Sequence, residues 1–185
     1  RGMVNHLLAK VAGLGLGAGD VVAATASPGF DISVWQMLAV LLSGGRVQVF
    51  PDRVAADPGL LLGELAARRV TVAEVVPSVL HEMAEHAAGP GGGPGLGALR
   101  WLLVTGEALP PGLCRAWYRQ YPAVRLLNAY GPTECSDDVT HHAVTVAEQG
   151  AASVPVGAPI GNTRAFVLDE WLGPVPAGVA GELYI

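Results

Sequence analysis

Seven consecutive residues, Asn128-Ala129-Tyr130-Gly131-Pro132-Thr133-Glu134, gather an amide, an aromatic ring, a Gly-Pro turn, a hydroxyl and a carboxylate, and two aspartates, Asp137 and Asp138, follow closely. Each type has its own use at a ligand. Asn128 offers amide donors and an acceptor to the edge of a heterocycle, and Tyr130 offers a flat face for stacking. Gly131-Pro132 makes a tight turn that lets backbone approach closely. The Thr133 hydroxyl can donate to a phosphate oxygen, and Glu134 is a hard carboxylate suited to magnesium. Together these needs describe a nucleotide. The plainer account of the same residues is a Gly-Pro turn with a capping Thr and a surface Glu.

Ligands of open α/β sheets sit just beyond the carboxyl ends of the strands, so the elements around this segment matter. Short apolar runs rich in Val recur between longer amphipathic stretches, the alternation of a parallel sheet covered by helices. The runs predict strands over 21–27, 46–51, 70–77, 100–106 and 125–131, and helices over 34–42, 58–68, 78–88 and 112–121. Asp57 suits an N-cap and Pro58 the first helical position, where a missing N–H costs nothing. Residues 89–97 are too rich in Gly and Pro for either element. After about residue 150 the helical period gives way to short strands between Pro and Gly turns. The expected fold class is therefore α/β: a mostly parallel sheet flanked by helices in residues 1–150, then the start of a β-rich subdomain in residues 151–185.

Composition narrows the function classes. The 185 residues are 51% apolar with a mean hydropathy of +0.40, which argues against disorder, and no apolar run reaches the length of a membrane span. Sixteen acidic residues against 11 basic give a net charge of -5 with no basic stripe, so nucleic acid is a poor partner. Cys114 and Cys135 lie far apart without metal-ligand partners, which fits a reducing cytoplasm. Arg1 is not preceded by a charged-then-apolar leader and Ile185 falls within a strand-like run, so both ends read as cuts.

Three other signals have ordinary accounts. The glycines of residues 13–19 resemble a dinucleotide fingerprint, but they follow a helix and precede a strand, the reverse of that motif's context, and read as a turn. His141 and His142 are adjacent on an extended segment and so point to opposite faces, as surface histidines. Trp35 and Met37 lie on an apolar helical face that would pack on the sheet.

The chain resembles the adenylation domains of nonribosomal peptide synthetases, within the wider class of acyl-CoA ligases and luciferases. The residues "RGMVNHL" (1–7) look like the segment after that family's phosphate loop, and "FDISVWQM" (30–37) is similar to its FDxS motif. "NAYGPTE" matches its NxYGPTE motif residue for residue, and "GELYI" (181–185) resembles the opening of its GELxIxG motif. The resemblance implies attack of an amino acid carboxylate on the α-phosphorus of MgATP. The aminoacyl group then passes to the phosphopantetheine thiol of a peptidyl carrier protein, with a small activator protein needed by some members. It further implies that Tyr130 stacks on adenine, that Asn128, Gly131 and the Gly106 backbone line the nucleotide site, that Thr133 touches the α-phosphate and that Glu134 binds magnesium. Residues 1–150 would carry the amino-acid pocket and part of the ATP site.

Asp31 distinguishes this branch. A buried ammonium needs a pairing carboxylate, and in the family the FDxS aspartate holds the substrate's α-amine; locally, Asp31 equally suits a helix cap. The resemblance puts the rest of the pocket at Ile32, Trp35, Glu74, Leu103, Thr105, Ala129, Asp137 and Asp138. If Glu74, Asp137 and Asp138 faced one cavity, their charges would demand a cation. A substrate of the arginine, lysine, ornithine or diaminobutyrate type supplies one, with a polar uncharged amino acid as the alternative. Two considerations oppose it: adjacent aspartates cannot both point inward from a regular strand, and Glu74 can pair with a local Arg. The family's phosphate loop, its ribose-binding aspartate and the lysine of its small C-terminal domain would lie outside these residues, so this chain alone is expected not to adenylate. Two further readings are an amino-acid-binding core without activity and an acyl-CoA ligase relative, which Asp31 argues against; a nicotinamide dehydrogenase is more distant, its fingerprint being misplaced.

Overall fold

A computed structural model describes residues 1–145 and 147–185. Helix α1 (Gly2–Leu14) leads into β1 (Val21–Ala24), α2 (Ile32–Leu38) and β2 (Arg46–Val49). A helical turn α3 (Asp52–Ala55) and α4 (Pro58–Ala67) precede β3 (Val72–Val75), and α5 (Pro77–Ala88) precedes β4 (Trp101–Val104). Then come α6 (Pro111–Gln120), β5 (Arg125–Tyr130), β6 (Thr140–Ala143) and β7 (Ala158–Pro159), and finally β8 (Phe166–Leu168) and β9 (Glu182–Tyr184).

Seven strands form one sheet in the order β2-β1-β3-β4-β5-β6-β7. The first five run parallel, and β6 and β7 are antiparallel to their neighbours. The α/β class with a mostly parallel, helix-flanked sheet is what the sequence predicted. The small second sheet pairs β8 with β9. Within residues 151–185, β7 still joins the first sheet.

Strand alternation sorts the core into two halves. Val21, Ala23, Ala73, Val75, Leu102, Val104 and Leu126 face the helices α4, α5 and α6, where Leu62, Met83 and Trp117 are buried against them. The intervening Val22, Val72, Trp101, Leu103 and Leu127 face α1 and α2, meeting Leu7, Leu14, Trp35 and Ala39. This is the two-residue period of a strand buried on both faces.

Local chemistry sets the boundaries. Asp57 caps α4 by accepting from Leu60 N at 3.0 Å, with Pro58 at its first position. The predicted 34–42 helix breaks: α2 ends at Leu38 and Val40–Ser43 tightens into a 3-10 turn. Gly15 ends α1 with φ 60°, a left-handed cap suited to glycine, so the glycine run is the turn its context indicated. Helix α1 was absent from the predicted helices because its buried face carries His6 and Lys10 beside Leu7 and Leu14, which blurs the apolar period. β6, Thr-His-His-Ala, was missed because its residues lack the apolar character of a strand.

Leu62 is fully buried and Leu60, two residues earlier on α4, is 53% exposed. Leu62→Ala is expected to lower the unfolding free energy by about 2–5 kcal/mol, and Leu60→Ala to change it by less than about 0.5 kcal/mol. Urea unfolding of the two variants checks this.

Candidate functional site

The loop after β5 folds back over its own start. A Cβ on Gly131 would lie 2.2 Å from the Asp137 carbonyl oxygen and 2.7 Å from the Asp138 Cα, so no other residue fits there. Val139 N donates to Tyr130 O at 2.8 Å, closing the loop. Thr133–Cys135 forms a 3-10 turn, and Ser136 and Asp137 follow with φ of 70° and 79°. That left-handed pair swings both Asp137 and Asp138 into the protein, where each is buried. The strand rule that adjacent residues diverge does not apply, because this segment is not a strand.

What Asp138 meets is Lys10, on the buried face of α1. Its ammonium is fully buried, forms a very short ion pair with Asp138 Oδ2 and lies 4.6 Å from the centre of the Trp35 ring. Thr105 Oγ1 donates to the other Asp138 oxygen at 3.2 Å, and Trp35 Nε1 donates to Glu74 Oε2 at 2.6 Å. Four of the sequence-selected residues, Trp35, Glu74, Thr105 and Asp138, are thus tied into one buried cluster around a lysine that sequence reasoning did not select. Glu74 takes its hydrogen bond from Trp35 and lies within the field of Lys10.

The electrostatics follow. Burial pulls the Lys10 pKa down, but Asp138 and then Glu74 outweigh it and the net shift is upward. Burial pushes Asp138 up, yet Lys10 and His141 hold it well below the carboxylate range. Glu74 is pushed up to about 8, first by burial and then by the charges of Asp138 and Asp137 against the opposing pull of Lys10. Its Oε1 has no hydrogen-bond partner among the described residues. At neutral pH the cluster therefore holds one lysine charge against Asp138, with Glu74 mostly neutral.

The selected residues divide among separate hollows. Asp31 and Asp137 line one of about 200 Å³ together with His6, Val34 and Ser136. Ile32 and Glu74 line a second of about 300 Å³ that also touches Phe30 and Val79. Gly106, Asn128, Ala129, Tyr130 and Gly131 line a third of about 410 Å³. Trp35, Leu103, Thr105 and Asp138 are buried behind them. The third hollow has the polar edge and flat face a nucleotide requires, since Tyr130 is 42% exposed, but Asn128 Nδ2 is already given to Pro155 O at 2.8 Å. Its second N–H and its carbonyl oxygen remain for a heterocycle. Ser153, Val154 and Val156 form another wall of this hollow, a contribution hidden in a segment that read as short strands between turns.

Asp31 does two things at once. Its Oδ1 accepts from Ile32 N at 2.9 Å, capping α2, and its Oδ2 accepts a short hydrogen bond from Thr133 Oγ1. The helix-cap and ligand readings are therefore compatible. Glu134 is exposed beside Thr133, a single carboxylate open to a magnesium ion whose other ligands would be phosphates and water. His141 and His142 do point to opposite faces, but not as surface residues: His141 is 3.5 Å from Asp138 and His142 is 3.3 Å from Glu148, both partly buried. Among the described residues, no helix is long and apolar enough to cross a membrane.

The model of the AMP-binding enzyme family matches residues 1–185. Phosphinothricin tripeptide synthetase PhsB of Streptomyces viridochromogenes is 39% identical over 169 residues, which cover 91% of this chain and 14% of that protein. A crystal structure of the nonribosomal peptide synthetase FmoA3 superposes with a TM-score of 0.89 at 28% identity, over 99% of this chain and 20% of that one. A four-domain nonribosomal peptide synthetase bound to AMP and glycine superposes with a TM-score of 0.84 at 30% identity, over 98% of this chain and 13% of that one. The chain thus spans a small part of each of these proteins.

Removing one partner of a buried ion pair strands the other, so Lys10→Met is expected to cost about 3–5 kcal/mol, with much of it regained in the double variant Lys10→Met, Asp138→Asn. Urea unfolding of the single and double variants measures both. Glu74 binds its proton more tightly folded than unfolded, so its contribution is complete below about 4.5 and is lost as pH rises through about 8. Stability should therefore fall across that window, and Glu74→Gln should flatten the fall in unfolding measured at several pH values.

Proposed function

The chain belongs to the AMP-binding enzyme family, of the adenylation-domain type found in nonribosomal peptide synthetases, and from that premise we propose that it selects an amino acid for activation as its adenylate. The observation that carries this reading is the hydrogen bond from Thr133 Oγ1 to Asp31 Oδ2. In an α-amino acid the ammonium and the carboxylate sit on one carbon. A carboxylate that holds the amine, touching a hydroxyl that meets the α-phosphate, brings the nucleophilic carboxylate beside the phosphorus it must attack. One bond forms from the amino acid's carboxylate oxygen to the α-phosphorus, and the bond from that phosphorus to the departing pyrophosphate breaks.

The chain's own residues then have separate tasks. Tyr130 stacks on adenine, the Asn128 carbonyl and the Gly106 backbone border it, and Gly131 keeps the loop closed beneath it. Glu134 would hold magnesium, which when bound offsets phosphate charge. Asp31 pairs with the α-amine, a function that an acyl-CoA ligase would not need. The product is handed on to a carrier protein's phosphopantetheine thiol, a step that this family resemblance alone supports.

The side chain selected is, in this reading, cationic. The cavity is less negative than the sequence suggested, because Lys10 already neutralises Asp138 and Glu74 is largely protonated. Asp137 remains, one carboxylate at the wall of the same hollow as Asp31. That residual charge suits a side chain carrying a single positive charge. The built-in lysine favours the second reading, a polar uncharged side chain, over any substrate with more than one added charge.

Calorimetric titration of the chain with amino acids, with and without ATP, tests the proposal. Asp31→Ala is expected to weaken amino acid binding about tenfold to a hundredfold, while propionate and longer acids lacking an amine bind neither protein. Equal affinities of the two proteins for amino acids would refute the assignment. The 185-residue chain itself is expected to show no pyrophosphate exchange, because the resemblance assigns the lysine that meets the developing charge to another domain.

A further inference from the structure

His6 lies in the segment 1–7 that carries part of the resemblance but was given no role there, and it faces the same hollow as Asp31 and Asp137. Its Nδ1 lies 3.2 Å from the Asp138 carbonyl oxygen. A carbonyl only accepts, so Nδ1 carries a hydrogen, and a neutral ring then presents a lone pair at Nε2. Nε2 in turn lies 3.3 Å from Asp137 Oδ2, the oxygen of a carboxylate. Two acceptors thus stand side by side. Both are buried, His6 at 4% and Asp137 at 6% exposure, and neither atom has a hydrogen-bond partner. They satisfy each other only if Nε2 gains a second proton.

An orphaned pair of buried acceptors is costly, and its remedy is a donor with two hydrogens aimed into the hollow. We propose that His6 Nε2 and Asp137 Oδ2 together receive the terminal ammonium of a short diamino acid side chain, which makes His6 a specificity-determining residue. The inference rests on the amino-acid reading above and deepens it. Asp31 takes the α-amine at one part of the hollow's wall, and the His6–Asp137 pair takes the distal amine at another. The hollow, about 200 Å³, suits a side chain of few carbons.

A metal ion is the competing ligand, since donor atoms of His6, Asp137 and Asp138 lie within 4.8 Å of one another. Asp138 is not free to serve one: Lys10 holds one of its oxygens and Thr105 the other. The two donors that remain are too few for a tetrahedral site and right for an ammonium.

The experiment is calorimetry of the whole chain with 2,4-diaminobutyrate and with 2-aminobutyrate, which differ only in the distal amine. The chain is expected to prefer the diamino acid by about tenfold to a hundredfold. His6→Leu and Asp137→Asn should each remove about tenfold of that preference, a change of ratio that a merely structural role would not produce. Circular dichroism melts establish that the variants fold; should either not, equal binding of the two amino acids by the unaltered chain overturns the proposal by itself. Binding of both amino acids without preference refutes the His6 assignment and spares the amino-acid reading. Binding of neither refutes both. Tight binding of zinc chloride alone, abolished by His6→Leu, would overturn the ammonium in favour of a metal.

Discussion

A lysine ammonium buried without access to water is the constraint around which this site is built. Lys10 cannot be left alone in a low-dielectric interior, and Asp138 cannot either; each is tolerable only because of the other. Their pairing dictates that α1 lies against the loop after β5, although the two are more than a hundred residues apart. It also dictates that this loop turn left-handed at Ser136 and Asp137, since no extended path would carry Asp138 to the ammonium. Trp35 lays its ring against the same ammonium and gives its N–H to Glu74, so α2 and β3 are drawn into the arrangement. The walls of the hollow are therefore set by electrostatics as much as by packing.

The sheet supplies the other half of the positioning. Glu74, Leu103, Thr105 and Ala129 come from or just beyond three neighbouring parallel strands. All four share the parity of Val72, Trp101 and Leu127, the residues that face α1 and α2. Asn128 has the opposite parity and turns away, toward the hollow walled by residues 153–156. One residue of register thus sends Leu127 and Asn128 to opposite faces of the sheet. Far from this end, Arg100 and Thr71 converge on Asp20, whose pKa is lowered as these hydrogen bonds outweigh its partial burial. Those contacts tie the starts of β1 and β4 together and leave the carboxyl ends to the ligands.

Much of this was legible in the residues. Apolar runs rich in Val and Leu located the five parallel strands, most plainly β1, β3 and β4, which are buried along their whole length. Asp57-Pro58 located a helix start, and the Gly-Pro turn located the loop that carries Thr133 and Glu134. The illegible parts share a physical cause. Helix α1 hid because two of its buried positions are polar, and β6 hid because its two histidines face partners that only the fold brings near. Lys10 itself was invisible: nothing local distinguishes a lysine that will meet an aspartate 128 positions away from one that points into water. Counting the carboxylates Glu74, Asp137 and Asp138 without it overstated the negative charge of the cavity.

The contact between Thr133 and Asp31 has a thermodynamic corollary. A threonine hydroxyl has one proton to give, and here it is given to a carboxylate oxygen. A cation that occupies that oxygen competes for it and frees the proton for an anion on the other side of Thr133. The two ligands therefore share one free-energy term: whichever arrives first makes room for the second, and by linkage the help is of equal size in either order.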